Sequence, residues 1–259
     1  MKIAVCLHGY FRTGLKDVAK IKTFAKTEEV DYFIHSWEPE LEETLIDLYN
    51  PKGFKFEKQK DFREVMEDEN ISQEWFDEGF HREGTMYSKA LIERSLSFFY
   101  GRQQVLSLID GEYDWVFVTR FDLGPDYDAF PSNFLLTSDP TKVFASYFDQ
   151  LNCGMADRWF IHNQKNAEIH ATIYDRVLGY FKKESPYITL MMEGWPDSEE
   201  FPFGVIPTAD PQQFSNVVLS GGAGGPLMKY PKWYCVNNHA LYKYFFIDTN
   251  LYNKIEYDK

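Results

Sequence analysis

The stretch Trp115-Val116-Phe117-Val118-Thr119-Arg120-Phe121-Asp122-Leu123-Gly124-Pro125 decides the fold. Its first five residues are apolar or β-branched without alternation. That is how a strand covered on both faces reads, so it belongs near the centre of a sheet. Gly124-Pro125 ends regular structure at once. Arg120 and Asp122 are thereby left at the carboxyl end of a central strand, two residues apart and pointing the same way. Open α/β sheets take up their ligands beyond the carboxyl ends of the strands.

The flanking sequence fits the same sheet. Upstream, Leu91, Phe98, Val105 and Ile109, widened by Ala90 and Leu106, predict a long helix from Met86 to Asp110-Gly111. At the amino terminus KIAVCL (residues 2–7) predicts a buried strand ending at His8-Gly9. Leu15, Val18, Ile21 and Ala25 then recur at helical spacing, and residues 30–35 return to strand composition, which makes a β-α-β unit. Residues 38–85 are acidic (EPELEE, REVMEDEN) and predict short helices and loops inserted over one edge with a solvated acidic face. Downstream, residues 143–148 and 157–161 predict strands, and Ala167, Ile173, Tyr174, Val177, Leu178 and Phe181 a helix. Residues 186–259 are rich in Pro and Gly and predict a decoration, with Gly221 to Gly225 as its loosest segment, either a connector or a mobile cover. The chain reads as a single α/β domain over residues 1–259 with a mostly parallel, Rossmann-related sheet flanked by helices.

Composition narrows the function classes. The 259 residues carry a net charge of −13, which argues against a general attraction to nucleic acid or anionic lipid while leaving room for a local basic pocket. Three cysteines, Cys6, Cys153 and Cys235, form neither a disulfide framework nor a zinc motif, and predict a reducing, cytoplasmic setting. The apolar start is far shorter than the roughly 20 residues that cross a bilayer, so no transmembrane segment is expected.

The turn His8-Gly9-Tyr10-Phe11-Arg12-Thr13 joins a glycine for close approach, aromatic faces and a guanidinium, a set suited to a nucleotide. It is neither a dinucleotide fingerprint nor a P-loop. Arg120 neutralises phosphate but cannot ligate a metal, whereas Asp122 can. Asp126 and Asp128 spell a literal D-x-D, yet lie beyond Gly124-Pro125 in a loop. Asp157-Arg158 opens a strand, either as a functional carboxylate or as a surface ion pair. Ser198-Glu199-Glu200 has the composition of a helix start, where capping is the alternative reading. His8, His35, His81, His162, His170 and His239 show no metal-ligand spacing.

The order IAVCLHGYFRT, DYFIHSW, long helix, DWVFVTRFDL, ADRWFIHN resembles the small bacterial and viral glycosyltransferases of the GT-A (nucleotide-diphospho-sugar transferase) fold over residues 2–180. The resemblance implies transfer of a sugar from a nucleotide-diphosphate donor to an acceptor hydroxyl, with a glycan as acceptor. It implies donor contacts from His8, Gly9, Tyr10, Phe11, Arg12, Arg120 and Asp122, and a divalent cation (Mn2+ or Mg2+) on Asp122 with His239. It also implies that Asp157, Glu199 or Glu200 supplies acid–base chemistry, with residues 186–259 on the acceptor side. Arg120 departs from the first acidic position of the family's D-x-D, which puts metal dependence in question. A non-catalytic nucleotide- or glycan-binding module of the same fold is the alternative.

Overall fold

A computed structural model of the chain describes residues 1–12, 15–23, 29–67, 70–71, 81–82, 85–122, 139–146, 155, 157–187 and 238–258. The elements follow one another as β1 (Lys2–Gly9), α1 (Leu15–Thr23), β2 (Glu29–Ser36), α2 (Glu42–Tyr49), β3 (Gly53–Phe56) and the short α3 (Arg63–Met66). A two-residue ladder of β4 (His81–Arg82) and β5 (Thr85–Met86) leads into α4 (Tyr87–Ser107). After β6 (Trp115–Arg120) come β7 (Val143–Ser146), β8 (Trp159–His162), α5 (Gln164–His170), α6 (Ile173–Tyr180), α7 (Asn238–Asp248) and β9 (Ile255–Asp258).

Among the described residues, seven strands form one sheet in the order β3-β2-β1-β6-β8-β7-β9. β3, β2, β1 and β6 are parallel neighbours, β8 runs antiparallel to both β6 and β7, and β9 lies parallel to β7. The sheet is therefore mixed, with one reversed strand. β1 has neighbours on both sides, β2 reached through α1 and β6 reached through the longer path over α4. The strand order switches direction at the β1–β6 boundary, where a crevice opens.

Alternation along the strands divides the core in two. Ile3, Val5, Leu7, Ile34, Trp115, Phe117 and Ile161 pack with Val18 and Ile21 of α1 and with Leu45 and Tyr49 of α2. Ala4, Cys6, Phe33, Val116, Val118 and Phe160 pack on the other face against α4, α6 and α7. Helices thus cover both faces, which is why β1 and β6 read as continuous apolar runs. α7 is buried from Ala240 to Phe246, where every residue but Lys243 is apolar or aromatic.

Several details depart from the sequence reading. The 38–85 region contributes β3, an edge strand of the sheet itself, whose four residues are too few to show a period. On α4 the predicted Val105 and Leu106 are buried, joined by Ile92, Leu96 and Phe99, while Phe98 and Ile109 are only half-buried. Residues 164–180 form two helices instead of one, α5 being capped by the Asn163 side chain, which accepts from the Asn166 amide at 2.8 Å. β9, which pairs with β7, lies in the stretch read as decoration. No helix among the described residues is long and apolar enough to cross a membrane.

Candidate functional site

At the carboxyl ends of four adjacent parallel strands the chain turns polar at one register level. His8 stands beside His35 of β2 and Arg120 of β6, and His35 stands beside Lys55 of β3. Laterally paired residues share a face, here the one covered by α4. Lys55 Nζ donates to Gln104 Oε1 at 2.8 Å and to Tyr100 Oη at 3.1 Å, and lies 3.2 Å from Glu57, whose Oε1 is also 3.0 Å from His35 Nε2. α4 passes close over the two histidines because residue 101 is glycine. A Cβ there would stand 3.2 Å from His35 Nδ1 and 3.4 Å from His8 Nδ1.

Arg102 of the same helix, fully buried, packs against this row. Its Nε donates to His8 Nε2 at 2.9 Å and its Nη2 donates to the Asp157 carbonyl at 2.9 Å. Phe98, Tyr242 and Phe160 surround the guanidinium at 4.8, 5.3 and 5.4 Å from their ring centroids, so aromatic faces take the place of a carboxylate partner. Because Arg102 can only donate, His8 Nε2 is an acceptor and its proton sits on Nδ1. Burial, then the Arg102 charge, holds His8 well below the usual imidazole range, so the ring is neutral. The polar chain continues from Tyr242 Oη to His170 Nε2 (3.3 Å) and from His170 Nδ1 to His162 Nε2 (3.1 Å).

A cleft of about 590 Å³ opens above the row, in the size range of small-molecule sites. Its lining brings five cationic side chains, Arg12, Lys60, Arg63, Arg94 and Arg120, against three acidic ones, Asp61, Glu93 and Asp122. In a protein of net charge −13 this is a local reversal of sign, and such a cleft concentrates anions. Tyr10, Trp37 and Phe98 supply aromatic walls. Trp37 stacks on Tyr100 with centroids 5.5 Å apart. Tyr10 Oη donates to Gln59 Oε1 (2.9 Å), and Gln59 Nε2 donates to Ser97 Oγ (2.7 Å), which ties the β1 turn to α4.

His8, Gly9, Tyr10, Arg12, Arg120 and Asp122 all line this cleft. Gly9 does so with φ +100°, a conformation that side chains strain to adopt. Phe11 does not line it. Its ring meets Phe121 edge-on at 5.6 Å and packs with the opposite core, while its amide donates to the Glu38 carboxylate, so it anchors the turn from behind. Asp157 is buried behind Arg120: its Oδ2 accepts from Asn238 Nδ2 at 3.2 Å and lies 3.9 Å from Arg120 Nη1. Glu199, Glu200, Asp126, Asp128 and Gly221 to Gly225 lie outside the described residues.

The residues expected to hold a cation do not fit one. Both Asp122 oxygens accept from Arg120, from Nε at 2.7 Å and Nη2 at 2.8 Å. His239 is turned to the Met155 carbonyl, 2.6 Å from its Nδ1, and does not line the cleft. Among the described residues no three His, Cys, Asp or Glu are grouped to hold a metal.

The sequence reading missed Trp37, Gln59, Lys60, Arg94 and Arg102. A signal existed for Lys60 in the basic run Lys58-Gln59-Lys60-Asp61-Phe62-Arg63, set within an otherwise acidic region. Arg94 and Arg102 carry no local signal, being two of several polar positions on a long helix.

No family model matches the chain, and no curated protein matches it significantly. Among solved structures, the apo crystal structure of mouse xyloside xylosyltransferase 1 is similar over 100% of this chain and 84% of its own, with a TM-score of 0.37 and 10% identity.

Proposed function

We propose that the protein is a glycosyltransferase of the GT-A type that binds a nucleotide-diphosphate sugar in the cleft and transfers the sugar to an acceptor hydroxyl, with a glycan as acceptor. One observation carries the reading: a basic, aromatic-walled cleft in an acidic protein, set where four parallel strands end at the β1–β6 switch. The aromatic faces suit a base or sugar and the cations suit a diphosphate. In the reaction the acceptor oxygen bonds to the anomeric carbon as the bond from that carbon to the diphosphate oxygen breaks. The nucleoside diphosphate leaves with the electron pair, and the hydroxyl proton passes to a carboxylate. Charge on the leaving diphosphate is stabilised by prearranged cations, the kind of effect that dominates such transfers. Glu199 or Glu200 is proposed as the proton acceptor. Asp157 is less suited, since Asn238 and Arg120 engage its outer oxygen.

Calorimetric titration with UDP- and GDP-sugars tests the donor. Arg12→Ala is expected to weaken binding by about 1.5–3 kcal/mol, the value of a charge-assisted hydrogen bond. Unchanged affinity in the variant removes Arg12 from the site, and no affinity of the parent protein for any nucleoside diphosphate or its sugar overturns the reading. The engagement of Asp122 by Arg120 favours one second reading, a binding module of the same fold without turnover. It predicts tight nucleotide-sugar binding with no release of nucleoside diphosphate, by hydrolysis or by transfer.

A further inference from the structure

We propose that the cleft holds the diphosphate of its ligand directly on Arg12, Lys60 and Arg94, with no divalent cation between. The inference rests on the nucleotide-sugar reading of the same site and concerns how the negative charge is met there.

Of the three acidic groups lining the cleft, Asp122 and Asp61 are engaged by guanidinium donors. For Asp122 to bind a metal it must give up two hydrogen bonds of 2.7 and 2.8 Å to Arg120, which belong to the strong charge-assisted class. The incoming cation would then sit beside a guanidinium that repels it. Asp61 is paired with Arg63, and Glu93 acts electrostatically on the same Arg63.

The cations show the opposite pattern. Arg63 and Arg120 are balanced by Asp61 and Asp122, but among the described residues no carboxylate is within ion-pair distance of Arg12, Lys60 or Arg94. Arg12 lies over the Tyr10 ring at 5.3 Å and Lys60 over the Tyr100 ring at 4.2 Å. A ring face orients a cation without cancelling its charge. The three come from different elements, the turn after β1, the loop after β3, and α4, and all open into one cleft. Three positive charges without a carboxylate partner among the described residues suit the two phosphates of a nucleoside diphosphate, and the guanidiniums offer paired donors that match phosphate oxygens.

The test is calorimetric titration with UDP, GDP and inorganic pyrophosphate, each in EDTA and in Mn2+. Affinity in EDTA is expected within about twofold of that in Mn2+, and Lys60→Gln and Arg94→Gln are each expected to lower it about tenfold or more in both buffers. Both positions are exposed, so melting temperatures should match the parent protein and rule out misfolding. Binding that requires Mn2+ overturns the inference and leaves the nucleotide-sugar reading standing. Binding in EDTA that neither substitution weakens overturns it as well. No binding of any of the three probes in either buffer removes the nucleotide-sugar reading itself.

Discussion

Arg102 supports the floor of the cleft through His8 without lining the cleft itself. A guanidinium buried without a carboxylate in contact is costly, and among the described residues its Nη1 has no partner. Two effects therefore oppose each other in Arg102→Met. The substitution relieves the buried charge, but it strips donors from His8 Nε2 and the Asp157 carbonyl, each orphaned group costing about 1–3 kcal/mol. The three surrounding rings already offset part of the desolvation, so the loss of donors should win. Arg102→Met is expected to lower stability by about 2–4 kcal/mol in urea denaturation. A midpoint equal to or above that of the parent protein would mean that the buried charge costs more than its hydrogen bonds contribute.

Among the elements, α4 does most to shape the site, because it lies over the polar row of β3, β2, β1 and β6. Its approach depends on Gly101. At an ordinary helix interior, Gly→Ala gains about 0.5–1 kcal/mol through backbone entropy. Here the new methyl would meet His35 Nδ1 at 3.2 Å, and His35 is itself held by Glu57 and by the Trp37 ring at 4.7 Å, so it has little room to move. Gly101→Ala should therefore destabilise, by about 1–2 kcal/mol, as overpacking does. A thermal midpoint above that of the parent protein would show that α4 shifts outward freely. The sequence reading located α4 within a residue at its start, and Val105 and Leu106 of its apolar set are buried, but it left out Ile92, Leu96 and Phe99. A helix packed between a sheet and other helices buries Val105 and part of Phe98 as well as Ile92, Leu96 and Phe99, so no single apolar face reveals itself.

Across the whole molecule, polar groups are drawn into the core on the α4 face, and this gives stability a pH dependence. Burial holds His8 and His170 well below the usual imidazole range and lowers His162 to about 3. In the unfolded chain each takes up a proton near pH 6.5, whereas in the folded protein it stays neutral. The unfolded state thus binds more protons as pH falls below about 6.5, and stability must drop. The contribution is fully present above that pH and is lost on the way down toward the folded pKa values. Each of the three histidines adds up to about 1.4 kcal/mol per pH unit in this window. Urea midpoints measured from pH 7.5 to 5.0 should be level at first and then fall steeply below about 6.5. Midpoints that stay flat down to pH 5 would show that these rings are reached by water or already charged.

By itself the sequence determined the α/β class, the buried parallel strands β1, β2 and β6, and the end of β6 as the place where Arg120 and Asp122 emerge. Those features are local. Continuous apolar runs, helical spacing and a Gly-Pro stop act through neighbours along the chain, so they can be read from it. Only the tertiary structure decided that Lys55, His35, His8 and Arg120 form one row, since the register between parallel strands far apart in sequence is set by how the intervening helices pack. It also decided that Arg120 closes on Asp122, that Phe11 turns away from the cleft, and that Lys60 and Arg94 enter it. The same charged residue is a solvated surface group, a partner in an ion pair or a ligand contact according to which charges face it. Those facing charges come from elements that the chain brings together only when the sheet and its helical layers are complete.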